Sequence, residues 1–169
     1  MDDITRVFIH GLDSSSRGTK GTFFWQRYPE MIREDFSGTL SEKMERLEGL
    51  LAGLSRLILV GSSYGGLMAS LFAFNNEARI QKLILLAPAL VRGDFSPYEA
   101  APLQRPVVLY HGRQDIVVPP DPTYALASRL FGNLDYHLVD DDHDLHQVFP
   151  TLDWDTLLEM GGEIPAPSP

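Results

Sequence analysis

Short, largely apolar runs alternate along the chain with longer segments of mixed polarity. Five of these runs have the length of buried strands and lie at residues 6–9, 57–60, 82–86, 106–112 and 136–139. A further, weaker strand is predicted at residues 30–33. Strands that alternate with helical segments are typical of a parallel sheet that carries helices on both faces. We therefore predict a three-layer α/β/α sandwich around a mostly parallel sheet of about six strands.

The segments between the runs predict helices. Leucine and methionine recur at helical spacing between residues 40 and 54, and Ser41 is the candidate N-cap of that helix. Further helices are expected at residues 18–26, 67–73, 121–130 and 146–160. We predict one domain over residues 1–160, followed by a flexible tail at residues 161–169 that is rich in glycine and proline.

The run at residues 57–60 leads directly into Gly61-Ser62-Ser63-Tyr64-Gly65. A Gly-x-Ser-x-Gly between a strand and a helix is typical of a nucleophile elbow. The turn is so tight that the residues two before and two after the serine must lack side chains. Backbone N–H groups at the start of the helix then point at any oxyanion that forms there. The motif predicts that Ser63 is a hydrolytic nucleophile; the alternative is a glycine-rich turn between two buried elements.

A serine nucleophile needs a base, and the base needs a group that orients it. Asp115 follows the strand predicted at residues 106–112, and His143 is the first histidine after the strand at residues 136–139. Catalytic groups collect at the carboxyl ends of strands in open α/β sheets. Asp115 is therefore the candidate acid and His143 the candidate base, in the chain order that this architecture uses.

Taken together, these motifs resemble those of the alpha/beta-hydrolase superfamily, in particular its small lidless bacterial esterase-like members. The resemblance extends from residue 7 to about residue 158. Four motifs carry it: His10-Gly11-Leu12, Gly61-x-Ser63-x-Gly65, His111-Gly112-x-x-Asp115 with Val118-Pro119, and Asp142-His143-x-Leu145. The resemblance implies a triad of Ser63, Asp115 and His143. It also implies an oxyanion hole made by the backbone N–H groups of Leu12 and Tyr64.

The sequence departs from the wider family at two places. Asp140-Asp141-Asp142 stands where many members have a glycine before the catalytic histidine. We interpret this acidic run as solvated, with stabilisation of a His143 imidazolium as the alternative. A metal site formed by the run with His143 and His146 has no ligand-spacing motif behind it, so no metal is predicted. The second departure is size: residues 89–105 are too short for a cap domain, which favours an open active site.

Several other residues have competing interpretations. His146 is the rival base and Asp94 the rival acid. His10 and His111 each precede a glycine at a strand end, where we expect them to hold loop geometry through hydrogen bonds rather than to transfer protons. For five apolar residues, a place in the wall of an acyl pocket competes with ordinary packing in the core or at its rim. They are Phe23, Trp25, Tyr98, Ile116 and Leu145.

Composition narrows the function classes. The net charge of −9 disfavours nucleic acid and anionic membranes as partners, since both favour basic patches. The chain has no cysteine, which excludes disulfides, thiol catalysis and cysteine-bound metals. No apolar run reaches the length of a membrane span, and the first residues lack a signal-peptide pattern, so a cytoplasmic protein is expected.

These observations predict a cofactor-independent serine hydrolase that acts on a small-molecule acyl substrate. Our first interpretation is an esterase that cleaves small carboxylic esters through an acyl-enzyme intermediate. A thioesterase or short-peptide hydrolase would use the same residues. The alternative of another class is a non-catalytic ligand-binding or protein-interaction protein that retains the scaffold.

Overall fold

The computed structural model describes residues 3–161, whose centre is a six-stranded sheet. The strands are β1 (Thr5–Ile9), β2 (Ile32–Arg33), β3 (Leu57–Ser62), β4 (Ile80–Leu86), β5 (Val107–Gly112) and β6 (Leu134–Val139). Their order across the sheet is β2-β1-β3-β4-β5-β6, and every neighbouring pair is parallel. The predicted sheet is confirmed. The predicted tail lies, apart from Gly161, outside the described residues, so that boundary stays a prediction.

Within residues 3–161, five α-helices flank the sheet. They are α1 (Thr19–Arg27), α2 (Leu40–Leu50), α3 (Tyr64–Asn75), α4 (Pro120–Leu130) and α5 (Trp154–Leu157). Short 3-10 turns lie at Glu77–Arg79, Leu90–Arg92, Ser96–Tyr98 and Phe149–Thr151. Helices α2, α3 and α4 pack on one face of the sheet, and α1 and α5 pack on the other. The three predicted layers are therefore present.

Strand β3 lies inside the sheet because its side chains are apolar on both faces. Leu57 and Leu59 pack into the core beneath α2, α3 and α4, whereas Ile58 and Val60 pack into the core on the α1 side. This alternation follows from the two-residue period of a strand. Each such buried side chain contributes about 1.5–3 kcal/mol relative to an exposed one. The elbow that follows β3 thus begins at the end of a strand buried on both faces.

An aromatic cluster fills the layer between the sheet and α1. Phe24 packs edge-to-face on Trp154, with ring centroids 4.9 Å apart, and on Phe149 at 5.6 Å. The Trp154 indole N–H donates to the Phe149 carbonyl oxygen at 3.0 Å. Aromatic pairs of this kind add about 0.5–1.5 kcal/mol each beyond their buried area. The cluster anchors the segment that follows β6, which contains His143.

The start of α2 differs from the prediction that Ser41 caps it. Thr39 is the N-cap: its hydroxyl accepts a hydrogen bond from the Glu42 N–H at 3.2 Å, and the Glu42 carboxylate accepts from the Thr39 N–H at 2.7 Å. This reciprocal arrangement is a capping box, which satisfies two N–H groups at the helix start. Thr39 and Glu42 have the required spacing of three residues, so the motif is readable in the sequence.

The helix expected at residues 146–160 is the clearest error of the sequence analysis. That segment instead forms the 3-10 turn at Phe149–Thr151 and, after a break, the single-turn helix α5. Pro150 lacks the N–H that the interior of a helix requires. Asp153 then begins a new helix, because its carboxylate accepts from the Thr156 N–H at 3.2 Å.

The sheet has a switch point between β1 and β3. The chain leaves β1 toward β2 on one side and continues through β3 to β6 on the other. In open α/β sheets, ligands bind in the crevice at the carboxyl ends of the strands at such a point. Between β4 and β5 the chain forms only the two 3-10 turns at Leu90–Arg92 and Ser96–Tyr98 and no cap domain. None of the helices within residues 3–161 has the length and apolar character of a membrane span.

Candidate active site

Ser63 occupies a strained turn between β3 and α3. Its backbone has φ 54° and ψ −115°, a conformation that residues other than glycine rarely adopt. The Ser63 N–H donates to the Leu86 carbonyl oxygen at 2.9 Å, and the Ser63 carbonyl oxygen accepts from the Gly66 N–H at 2.9 Å. Bonds to the end of β4 and to the first turn of α3 therefore hold Ser63 in the conformation typical of a nucleophile elbow.

The two glycines of the motif are required by close backbone approach. A Cβ at Gly65 would overlap the Ile9 carbonyl oxygen and lie 2.6 Å from that of His10. A Cβ at Gly61 would overlap the Gly65 carbonyl oxygen. Neither contact can be relieved by rotating a side chain. The glycines let the end of β1 lie directly against the turn that carries Ser63.

The structure brings Ser63, His143 and Asp115 together from three strand ends. The His143 Nε2 lies 3.0 Å from the Ser63 Oγ, and the His143 Nδ1 lies 2.7 Å from the Asp115 Oδ2. The carboxylate can only accept, so His143 carries its proton on Nδ1, and Nε2 accepts from the serine hydroxyl. This is the arrangement in which a histidine takes a proton from a serine while a carboxylate orients it.

The Asp115 carboxylate is buried and surrounded by donors. Its Oδ1 accepts from the N–H groups of Val117 at 2.9 Å and Val118 at 2.8 Å. Its Oδ2 accepts from His143 and lies 3.1 Å from the Nε2 of His111. Three N–H groups donate to the carboxylate, and His111 adds a longer contact, in a site closed to solvent. The sequence analysis did not foresee the contact with His111.

Gly112, the residue after His111, allows the His143 loop to pass over the end of β5. A Cβ at Gly112 would lie 2.5 Å from the Asp142 carbonyl oxygen and 2.8 Å from the Asp141 carbonyl carbon. The same strand end therefore contacts the loop of Asp115 through His111 and the loop of His143 through Gly112.

Asp141 organises the His143 loop from inside. Its side chain is buried: Oδ1 accepts from the Asp142 N–H at 2.8 Å, and Oδ2 accepts from the N–H groups of Gln147 at 3.0 Å and Val148 at 2.8 Å. The sequence analysis interpreted the whole acidic run as solvated, which is wrong for this residue. Charge-assisted hydrogen bonds to three backbone N–H groups stabilise the loop that presents His143.

The rival residues lie elsewhere. His146 is exposed and pairs with Asp142 at 2.6 Å; this hydrogen bond raises the pKa of His146 and lowers that of Asp142. Asp94 is exposed, and its carboxylate accepts from the Ser96 hydroxyl at 2.6 Å and from the Ser96 N–H. Hydrogen bonds from Ser96 lower the pKa of Asp94. Neither rival contacts Ser63 or His143 through a hydrogen bond.

His10 has the structural role that the sequence analysis predicted. Its Nδ1 donates to the Gly11 carbonyl oxygen at 2.6 Å, and its Nε2 accepts from the Phe36 N–H at 3.0 Å. Both ring nitrogens are therefore occupied in holding the loop after β1. His111 likewise holds its loop, because Nε2 lies 2.8 Å from the Val118 carbonyl oxygen.

Leu12 and Tyr64, whose backbone N–H groups are the predicted oxyanion donors, line the same cavity as Ser63. Tyr64 is the first residue of α3, where N–H groups have no intrahelical acceptor. Within residues 3–161, the Leu12 N–H donates to no backbone acceptor. Gly11, next to Leu12, lies against the elbow, because a Cβ there would be 3.4 Å from the Ser63 Cβ. The assignment of Leu12 and Tyr64 as oxyanion donors stays a prediction, but their placement fits it.

A cavity of about 620 Å³ opens over Ser63 and His143. Its apolar lining includes Phe8, Leu12, Phe23, Val117, Val118, Leu145, Phe149 and Pro150. Phe23 and Leu145 are thus at the predicted pocket wall, whereas Tyr98 stacks on Phe74 with ring centroids 4.7 Å apart and Ile116 is 93% exposed. Trp25 lines a separate groove on the surface.

Lys20 lines the same cavity and connects α1 to the His143 loop. Its ammonium donates to the Asp144 carbonyl oxygen at 2.6 Å and lies 5.5 Å from the centre of the Phe149 ring. Burial lowers the pKa of Lys20, although the carboxylates of Asp144, Asp142 and Asp141 oppose that effect. Within the described residues, no group of three or more histidine, aspartate or glutamate side chains is arranged to hold a metal ion.

No protein-family model matches the chain, and no curated protein matches it by sequence. Solved structures do. Alpha/beta hydrolase domain-containing protein 10 from mouse matches with a TM-score of 0.71 at 21% identity, over 92% of this chain and 89% of that one. The chain has the alpha/beta-hydrolase fold. Est1E from Butyrivibrio proteoclasticus is similar at a TM-score of 0.75 and 17% identity, over 94% and 87% of the two chains.

A third structure with the alpha/beta-hydrolase fold comes from a lagoon-sediment metagenome of Mar Chica, Morocco. This enzyme, MGS-MChE2, matches with a TM-score of 0.68 at 18% identity, over 93% of this chain and 90% of that one. The three similar proteins therefore cover nearly the whole chain. They agree with the fold that the elbow and the sheet order indicate.

Proposed function

We propose that this protein is a serine hydrolase that cleaves small carboxylic esters by way of an acyl-enzyme. The hydrogen-bonded chain from Ser63 through His143 to Asp115 carries the proposal. A serine at its own pKa is a weak nucleophile, and an adjacent oriented base is what activates it. A scaffold kept only for binding has no need of this arrangement, which favours the enzyme over the non-catalytic alternative.

In the proposed reaction, His143 Nε2 takes the proton of Ser63 as its Oγ attacks the ester carbonyl carbon. Asp115 holds the imidazole in the Nδ1–H tautomer and stabilises the imidazolium that forms. The backbone N–H groups of Leu12 and Tyr64 stabilise the oxyanion, and each such donor typically contributes a factor of about 10²–10³ in rate. His143 then protonates the leaving alcohol and activates the water that releases the acid.

The cavity supports a compact, largely apolar substrate. Its volume of about 620 Å³ lies within the ordinary range for small-molecule sites, and no cap domain covers its mouth within residues 3–161. A structure of the similar protein Est1E holds ferulic acid, an aromatic acid. Phe23 and Phe149 in the lining of the present cavity suit an acyl group with an apolar or aromatic body.

A panel of p-nitrophenyl esters and acyl thioesters tests the proposal. The wild-type protein should hydrolyse short-chain or aromatic esters with burst kinetics or saturation. Ser63→Ala and His143→Gln should each lose at least about 10³-fold in kcat, as losses of triad groups do. Ser128→Ala on the exposed side of α4 is the matched control and should retain full activity. Wild-type protein that hydrolyses no member of the panel, or Ser63→Ala that retains full activity, would contradict the proposal.

A reaction without cofactor is part of the same proposal. It rests on the residues of the proposed reaction, which supply nucleophile, base and oxyanion donors by themselves. Thioesters belong to the panel because the same residues would cleave them. The preferred acyl group is read from relative kcat/KM values.

A further inference from the structure

A second imidazole, that of His111, contacts the carboxylate of Asp115. We propose that His111 is a positioning residue: as a neutral donor it fixes the Asp115 carboxylate and, through it, the orientation of His143. The catalytic consequence rests on the proposed function. The positioning itself is a property of the folded protein and can be measured without substrate.

The proton on His111 is placed by its surroundings. Its Nε2 lies 2.8 Å from the Val118 carbonyl oxygen and 3.1 Å from the Asp115 Oδ2, and both of these atoms are acceptors. Nε2 must therefore carry a proton, which it shares between the two. The opposite nitrogen, Nδ1, is buried and has no hydrogen-bond partner among residues 3–161. An Nδ1–H would be an unsatisfied buried donor, which costs about 1–3 kcal/mol.

His111 is consequently neutral. Its side chain has no exposed surface, and burial lowers its pKa; the nearby His143 acts in the same direction, while Val118 and Asp115 oppose both. The contact with Asp115 is thus the longer branch of an N–H that a neutral ring shares with the Val118 carbonyl oxygen, rather than an ion pair. A neutral donor orients the carboxylate without cancelling the negative charge that His143 needs when it accepts the serine proton.

The position of the His111 N–H explains how it affects the Asp115 carboxylate. The two N–H groups of Val117 and Val118 hold Oδ1, so Oδ2 is the oxygen that meets both imidazoles. With His111 present, Oδ2 has donors from two directions, which limits rotation of the carboxylate about its own axis. The same Nε2–H closes the loop by bonding the Val118 carbonyl oxygen. Without it, the bond to His143 would be the one hydrogen bond on Oδ2 recorded among residues 3–161, while Val117 and Val118 would still hold Oδ1.

Two substitutions separate positioning from packing. His111→Phe keeps an apolar ring of similar size and removes the donor, whereas His111→Gln retains an N–H donor at a similar reach. With p-nitrophenyl acetate, we expect kcat of His111→Phe to fall about tenfold with little change in KM. This is near the low end of the losses seen when a residue that hydrogen-bonds to a functional side chain is removed. His111→Gln should lie within about threefold of wild type. Equal kcat in wild type and a folded His111→Phe, or equal losses in both variants, would overturn the proposal.

A nuclear magnetic resonance measurement tests the positioning apart from catalysis. With ¹⁵N-labelled histidine, the wild-type His111 should show the neutral Nε2–H tautomer and a slowly exchanging proton from about pH 6.5 to pH 9. In His111→Phe, the His143 Nδ1 proton should move downfield, because Oδ2 then serves one donor instead of two. A His111 that is cationic in this range, or protonated on Nδ1, would overturn the proposal, and so would an unmoved His143 proton in folded His111→Phe.

The two proposals fail in different ways. Wild-type protein without esterase activity but with the expected His111 tautomer and His143 shift would contradict the proposed function and leave the positioning standing. If the wild-type protein is active and His111→Phe leaves both the His143 proton and kcat unchanged, the positioning role is contradicted and the proposed function stands. The wild-type tautomer measurement needs no variant, so it decides even where His111→Phe does not fold.

Discussion

Replacing Gly65 with alanine would place a methyl group inside the backbone of β1. The new Cβ would overlap the Ile9 carbonyl oxygen and lie 2.6 Å from that of His10. Overpacking in a core costs about 1–3 kcal/mol and occasionally more. Both neighbours here are main-chain atoms at the end of a buried strand, so neither can rotate away. We therefore expect Gly65→Ala to lose about 3 kcal/mol or more of the free energy of unfolding.

In a domain of this length, about 1 kcal/mol corresponds to about 2–4 °C in Tm, so Tm should fall by about 6–12 °C or more. Ester hydrolysis should fall as well, because displacing the end of β1 moves Gly11 and Leu12 away from Ser63. Differential scanning calorimetry measures the first effect, and kcat/KM with p-nitrophenyl acetate at a temperature where the variant is folded measures the second.

Gly49→Ala is the matched control. Gly49 lies in α2, and a Cβ there would meet no atom within 4 Å. Alanine in a helix is more stable than glycine by about 0.5–1 kcal/mol, so Tm should rise by about 1–4 °C with activity unchanged. A Gly65→Ala protein with wild-type Tm and activity would refute the close packing of β1 against the elbow.

Two further predictions concern the His143 loop. Asp141→Asn exchanges a carboxylate that accepts three backbone N–H bonds for an amide; we expect a loss of about 3 kcal/mol by urea unfolding, and an unchanged unfolding curve would contradict the role of Asp141. His146→Gln removes the pair with Asp142. Because the pKa of His146 is raised above 6.5 and that of Asp142 is lowered below 3.8, the wild type should exceed the variant in Tm between about pH 4 and pH 6.5. The difference should vanish as pH rises through the raised value or falls through the lowered one, and a pH-independent difference would contradict it.

Local sequence signals were sufficient to predict the turn around Ser63, because one motif determines both the backbone conformation and the side chain that it presents. Gly61 and Gly65 around Ser63 follow from the tightness of one turn, and the apolar run of β3 fixes where that turn begins. The places of Asp115 and His143 followed from the rule that catalytic groups gather at strand ends. Hydrogen bonds join all three side chains, although their catalytic roles stay predictions until they are tested.

Two side-chain placements were not readable in the same way. His111 and Asp115 lie only four residues apart, but the path of the turn after β5 decides whether they meet. The burial of Asp141 depends on how the His143 loop passes over the end of β5. The helix expected at residues 146–160 was wrong because Pro150 interrupts that segment and the carboxylate of Asp153 starts a new helix. Thr39 was missed as the cap of α2, although Glu42 three residues later is the usual signal.

Labelling with a fluorophosphonate probe tests the central claim most directly, since it requires an activated serine and no knowledge of the substrate. We expect the folded wild-type protein to take up one equivalent of probe, located on Ser63 by mass spectrometry. Ser63→Ala should remain unlabelled, and His143→Gln should react far more slowly. Folded wild-type protein that stays unlabelled, or that carries the label on another residue, would contradict the account.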